Sequence, residues 1–273
     1  MMTDKHKLSP LQTAELEIFK EFLSICQEYD LRYYIWGGSF LGAVRHKGFI
    51  PWDDDIDVAM PRADFEKFLN IASEKLSEKL YLSTYRLRKD HVTLAAQIFN
   101  RDKRFVLNNA TKKMQTGAWI DILVIDGAPD PGIKRKLFGI KYMYYRMMNQ
   151  FAYFDEIVNL NKKRPLYEMA AIRFAQITKI EKLLNPVKIG DKFHKLLRSN
   201  DFEKKAYVGT FMGAAKMHEI IPKTYLEPGA EYTFEDLKVN GPSDYDKYLK
   251  HFYGDYMTPP PENERNRHNV TLQ

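Results

Sequence analysis

Residues Tyr33–Pro61 read YYIWGGSFLGAVRHKGFIPWDDDIDVAMP. The β-rich run Leu31 to Trp36 ends at Gly37-Gly38-Ser39, a pattern that predicts a strand closing in a tight turn. Phe40 to Arg45 predicts a short helix opened by that turn. Four acids fall among the five residues Asp53 to Asp57. They continue straight into Ile56, Val58 and Met60, so Asp55 to Met60 predicts a second strand.

Side chains alternate faces along a strand, which would put Asp53, Asp55 and Asp57 on one face and Ile56 and Val58 on the other. Two carboxylates at about 5 Å repel by about 3 kcal/mol at an effective dielectric of about 20. Such an arrangement calls for a counter-charge, and hard divalent cations prefer carboxylate oxygens. Taken alone, DDDID reads equally well as a solvated loop. Its company favours a site. Gly117 to Val124 (GAWIDILV) predicts a strong strand with Asp121 between Ile120 and Ile122, and an acid there is expensive to bury unless paired or metal-bound. Asp121 is therefore the candidate third carboxylate, converging from a neighbouring strand. Asp126, just beyond, reads as a turn or helix-capping acid.

A glycine turn after a strand can present backbone N–H groups to an anion, and glycines let a phosphate come close. Gly37, Gly38 and Ser39 are on this ground candidates for holding phosphate, with magnesium (manganese as the alternative) held beside it by the acids. Arg45 and Lys47 are candidate contacts to phosphate or a sugar hydroxyl, set against a solvated basic loop; His46 is a weaker one. Trp52 reads as packing rather than as a ligand stack.

Outward from this stretch, Ser9-Pro10-Leu11-Gln12 predicts a helix start, with Ser as cap and Gln three residues on. Leu16, Phe19, Phe22, Leu23 and Cys26 follow helical spacing to an end near Tyr29-Asp30. Arg62 to Leu76 predicts an amphipathic helix, and Tyr81–Leu87 and Thr93–Asn100 predict strands. From Gly132 to Ser199 only helices are expected, broken near Pro165, Pro186 and Gly190. The fold class is thus α+β with an α/β core: a mixed sheet with flanking helices and a helical insertion. The divisions are 1–131, a catalytic core; 132–200, the insertion; and 201–273, a segment packing back on the core to complete the substrate pocket.

The chain has 273 residues, a net charge of +6 and one cysteine, Cys26. This excludes a disulfide framework and a cysteine-rich zinc site. The positive balance suits an anionic substrate, a nucleic acid or an anionic membrane. The polar start MMTDKHKLSP predicts no signal peptide, and no run reaches the about 18 apolar residues of a membrane span, so a cytoplasmic protein is expected. Ile133 to Phe154 is both basic and apolar-aromatic; a core helix with a basic outer face is the first reading, a helix lying on a membrane the second. The C-terminal residues Tyr245, Tyr248, Leu249 and Phe252 share helical spacing with one another and read as core before ligand pocket.

Gly37-Gly38-Ser39 with Asp55-x-Asp57 resembles the nucleotidyltransferase superfold of DNA polymerase β. The longer string GGSFLGAVRHKGFIPWDDDIDVAMPR, with GAWIDILVIDGAP and FEDLKVNGPSDYDKYLKHFYGDYMTPPPENER, resembles the LicD family of phosphocholine transferases, related to fukutin and fukutin-related protein. The resemblance covers most of the chain and is weakest over 132–200. It implies transfer of a phospho-alcohol from a CDP-alcohol donor, CDP-choline first, with ribitol or glycerol phosphate as alternatives, to a hydroxyl of a cell-surface glycan precursor, releasing CMP. By residue match, Asp53, Asp55 and Asp57 fall on the family's metal-binding acids and Asp121 on the distal one. Asp121 is then the first candidate to accept the acceptor's proton, Asp53 the second. The family's lipid-linked acceptors imply work at the inner face of the membrane. The zinc site of fukutin-related protein does not carry over, for want of cysteines. The rival activity is nucleotide transfer from an NTP to a small-molecule, RNA or protein hydroxyl; a nucleic-acid-binding role is disfavoured by dispersed basic residues and exposed acids.

Overall fold

The computed structural model describes residues 7–107, 114–154, 169, 173, 177–213, 215–262, 265 and 270–272. Helix α1 (Pro10–Glu28) begins as the sequence dictates: the Gln12 N–H donates to Ser9 Oγ at 3.1 Å, and the Ser9 N–H donates to Gln12 Oε1 at 2.9 Å. Leu11, Ile18, Phe19, Phe22 and Cys26 line its buried face.

The predicted strand Leu31–Trp36 shrinks to β1 (Tyr34–Ile35). The glycine pair does not form a separate turn. It is the first turn of α2 (Gly37–His46), entered from Trp36 in extended backbone. Gly37 has φ +53°, a left-handed value that favours glycine. Strand β2 (Asp57–Pro61) begins two residues later than expected. Asp53 and Asp55 therefore precede it, and strand alternation does not place them on one face with Asp57. The reason is local: side chains, not a sheet ladder, hold that backbone. Asp57 N–H donates to Ser39 Oγ at 2.9 Å, Ser39 Oγ donates to the Asp55 carbonyl at 3.3 Å, and Gln12 Nε2 donates to the Asp53 carbonyl at 2.8 Å.

Helix α3 (Arg62–Lys75) leads to β3 (Leu80–Ser83), β4 (Ala96–Leu107) and β5 (Met114–Ala128). The predicted strand Tyr81–Leu87 stops at Ser83, while Thr93–Asn100 starts later and runs on, with a register shift between Phe99 and Arg104. The sheet has the order β1-β2-β5-β4-β10, with β3 also on β4 and the pair β6 (Tyr207–Gly209) and β7 (Ile221–Pro222) extending from β5; β10 is Val270–Leu272. Among the described residues only β2 and β5 pair in parallel; every other pairing of this sheet is antiparallel. A separate hairpin, β8 (Ala230–Phe234) with β9 (Leu237–Gly241), precedes α6 (Tyr245–Tyr253). The chain is thus a mixed α/β structure.

Helices α4 (Ile133–Ala152) and α5 (Pro186–Arg198) build a second core from Phe138, Tyr142, Phe193 and Leu197 with Phe211 and Ile220. Pro186 starts α5 under an Asn185 cap, but Gly190 does not break it. Gly190 lies against the Tyr85 ring, where a Cβ would come within 2.7 Å of an aromatic carbon. Pro165 lies outside the described residues.

Asp126 neither caps nor turns. It is buried and takes the Arg62 guanidinium in a two-point pair, with Arg62 Nε 2.8 Å from Asp126 Oδ1 and Nη2 donating to Oδ2. The third Arg62 nitrogen, Nη1, lies 3.1 Å from His194 Nδ1. Arginine only donates, so Nδ1 must accept and His194 is the neutral Nε2–H tautomer. Burial first, then the charges of Arg62, Arg198 and Arg86, push the His194 pKa down to about 3 from 6.5. The unfolded chain therefore binds this proton at higher pH than the fold does, so the stability is present above pH 6.5 and lost as pH falls toward 3. Denaturant titrations from pH 7 to 4 should show the wild type losing up to about 1.4 kcal/mol per pH unit more than His194→Asn, which keeps an acceptor but takes up no proton. Parallel slopes for the two proteins would contradict this assignment.

Candidate functional site

The parallel register of β2 and β5 sets Asp57 opposite Asp121, on strands about 4.8 Å apart. The Asp121 N–H donates to the Ile56 carbonyl at 2.9 Å, which locks the register at the strand mouth. On the next strand Gln97 is the cross-strand partner of Asp121, so Asp57, Asp121 and Gln97 form a row across three strands. Gln97 Nε2 donates to Asp121 Oδ1 at 2.9 Å, and Trp119 Nε1, two residues back on the same face, donates to Oδ2 at 3.0 Å. Two N–H donors on separate oxygens fix the plane of the carboxyl group.

The glycines bring the remaining acids in. A Cβ on Gly38 would stand 2.8 Å from Asp53 Oδ2, and one on Gly37 3.2 Å from Asp57 Oδ2. In this structure the N-terminal turn of α2 therefore faces the chain's own carboxylates, which its dipole favours. The Gly37 N–H donates to Tyr248 Oη at 3.2 Å, and the Ser39 hydroxyl, buried, is engaged by the backbone of Asp55 and Asp57. Asp57 is crowded. Loss of hydration, then the charges of Asp55, Asp121, Asp53 and Glu219, push its carboxyl well above the ordinary range. Glu219 is itself buried and bonded to the Thr210 hydroxyl, and burial raises its pKa to about 6.

Arg45 Nη1 donates to the Tyr256 carbonyl at 3.0 Å and Nε to His46 Nε2 at 2.9 Å. Its guanidinium lies 5.8 Å from the Trp52 ring centre, while that of Arg265 lies 4.4 Å from it. Trp52 is thus a packing platform for two cations. Lys47 is exposed at the left-handed C-cap of α2, with φ +62°.

Glu15, on α1, is not apparent as a site residue from the sequence. It is fully buried, and neither carboxylate oxygen has a hydrogen-bond partner among the described residues. Burial, then Asp55, Asp54, Asp53 and Asp121, raise its pKa well above 4.5. A signal is present: Glu15 falls on the apolar stripe of α1, three residues after Gln12 and four before Phe19. Gln97, Trp119, Tyr248 and Arg265 give no such signal, because their roles depend on pairings distant in sequence.

The donor type suits a hard divalent cation, which prefers carboxylate oxygens. Among the described residues, no three carboxylate, imidazole or thiolate groups already converge in ion-coordinating geometry.

Residues 30–128 match the family model described as LicD/FKTN/FKRP, nucleotidyltransferase domain. That span carries β1 to β5, and with them Gly37, Gly38, Ser39, Asp53, Asp55, Asp57 and Asp121. Residues 30–128 are thus a LicD-family domain. The chain is 28% identical over 275 residues to the lipopolysaccharide cholinephosphotransferase LicD of Haemophilus influenzae, covering 97% of each chain. It is also similar to an uncharacterised protein of Rickettsia typhi, 22% identical over 76% of this chain and 59% of that one. A second uncharacterised protein, of Rickettsia prowazekii, is 24% identical over 63% of this chain and 62% of that one. Glu15, Glu219 and Tyr248 lie outside the matched LicD span, so this chain completes the surroundings of its acids from both flanks.

Without divalent cations, Glu15→Gln should raise stability at pH 7–8 by about 1–3 kcal/mol, by removing a buried carboxylate that lacks partners. Because a raised folded pKa makes stability fall as pH climbs above 4.5, the gain should shrink toward pH 4. Thermal melts in chelator across this range measure it; a variant less stable at every pH would contradict the placement.

Proposed function

We propose that this chain is a metal-dependent transferase that moves phosphocholine from CDP-choline to a hydroxyl of a cell-surface glycan, releasing CMP. Ribitol phosphate and glycerol phosphate are the alternative groups. The observation that carries this reading is the parallel pairing of Asp57 with Asp121 inside the LicD-family domain. The cholinephosphotransferase similar to this chain over 97% of its length supports the choice of phosphocholine. The sheet and its acids are read as a nucleotidyltransferase core of the polymerase β type.

Asp55 and Asp57, with Asp53 and Asp121, would hold magnesium, or manganese in its place. The ion supplies charge neutralisation on the diphosphate and the departing CMP. Asp121, oriented by Gln97 and Trp119, accepts the proton of the acceptor hydroxyl as the hydroxyl oxygen bonds to phosphorus and the bond from phosphorus to CMP oxygen breaks. Asp53 is the second candidate for that proton. The turn Gly37–Ser39 and the cations Arg45 and Lys47 line the phosphate side. Gln12 and Ser39 hold the backbone that carries the acids, which limits reorganisation during the reaction. A cytoplasmic site of action belongs to the same proposal.

The test is turnover with magnesium, a panel of CDP-alcohols and a glycan acceptor, with NTPs in parallel. CMP release from CDP-choline is expected, and Asp57→Asn and Asp121→Asn should each lower it by about a hundred- to a thousand-fold while the melting temperature measured without divalent cations does not fall. Near wild-type turnover in either variant would refute the mechanism. Pyrophosphate release from an NTP, with CDP-alcohols inert, would replace it with nucleotide transfer.

A further inference from the structure

Helix α4 carries two apolar faces. Phe138, Tyr142 and Ala152 turn inward to the second core. Ile133, Leu137, Ile140, Tyr144 and Met147 recur every three or four residues and so share the other face. They are 76%, 55%, 67%, 52% and 43% exposed. The stripe runs for about 21 Å along the helix. The 3-10 turn Ile180–Leu183 packs beside α4 and adds Leu183, 83% exposed. The sequence expectation of a core helix with a basic outer face is thus half met, since the outer face is apolar along its centre.

Charge decides what covers it. α4 contains Lys134, Arg135, Lys136, Lys141 and Arg146 and no acid. Arg135 and Arg146 are tied inward, to the Pro129 and Gly213 carbonyls at 2.7 and 2.9 Å. Lys134, Lys136 and Lys141 are exposed and lie on both flanks of the stripe. A second copy of the same face would bring like charges together. An anionic bilayer satisfies both features, taking the apolar stripe below its headgroups while the lysine ammonium groups stay at phosphate level.

We infer that α4 is a membrane-docking helix, lying in the plane of an anionic lipid surface through Ile133, Leu137, Ile140, Tyr144 and Met147. This goes beyond the proposed reaction and does not rest on it. It would keep a site with no membrane-crossing helix among the described residues at a lipid surface.

Co-sedimentation of the full chain with vesicles tests it. Vesicles of equal parts phosphatidylglycerol and phosphatidylcholine should bind the protein, phosphatidylcholine alone should not, and high salt should weaken binding. Leu137→Glu with Ile140→Glu should lower binding at least about tenfold at low salt, with an unchanged melting temperature, since both side chains face solvent. Absence of binding to the anionic vesicles would overturn the inference. So would binding that the double variant retains, which would be diffuse attraction of a basic protein. A dimer in sedimentation velocity that the double variant disperses would assign the face to a second copy instead.

Discussion

A single parallel pairing, β2 against β5, constrains everything at the candidate site. It brings Asp57 and Asp121 side by side from chain positions far apart, in a sheet otherwise antiparallel. Two carboxylates in such a row repel, so the fold must supply something to hold them. Part of it is visible: Ser39 fixes the Asp57 backbone, Gln97 and Trp119 hold Asp121, and the glycine pair gives Asp53 and Asp57 the helix N-terminus. These contacts orient the acids. Glu15, buried beside them with no hydrogen-bond partner among the described residues, adds a further carboxyl group. Carboxylate oxygens gathered in this way are the donor type that a hard divalent cation prefers.

The rest of the molecule insulates that row. The α1 face packs Phe19 against Phe234 and Phe22 against Tyr33 and Phe68, and Tyr248 closes the side nearest Gly37. On the far side, Arg62, Asp126 and His194 tie α3, β5 and α5 together. This buried polar node joins the main core to the second one. The two ends of β5 therefore differ in kind: Asp121 sits where charge is concentrated, and Asp126, five residues on, where it is matched.

The sequence reveals what depends on near neighbours. The capping box at Ser9 and Gln12, the helix from Arg62 and the strand around Asp121 are all legible, because each is set by local spacing. Asp121 is legible as a site residue because an acid between two isoleucines is costly to bury without a partner or an ion. What depends on tertiary partners is not legible. The start of β2 moves because the Ser39 hydroxyl takes the Asp57 N–H, and Asp126 pairs rather than caps because Arg62 and His194 reach it from other elements. Gly190 has the sequence character of a breaker, yet it is a close contact to Tyr85. Glu15 reads as an interruption in an apolar stripe, when the stripe delivers it to the acids. The outer face of α4 is basic by composition; only burial separates its two apolar stripes.

The central claim is that the row of acids is built for a divalent cation. Thermal stability with and without magnesium or manganese tests it most directly, because it needs neither donor nor acceptor. A ligand that binds only the fold, at about a hundred times its dissociation constant, stabilises it by about 2.7 kcal/mol. A saturable rise in the wild-type melting temperature, abolished in Asp57→Asn and in Asp121→Asn, is the expected result. A wild type indifferent to both ions, or variants stabilised as much as the wild type, would contradict the account.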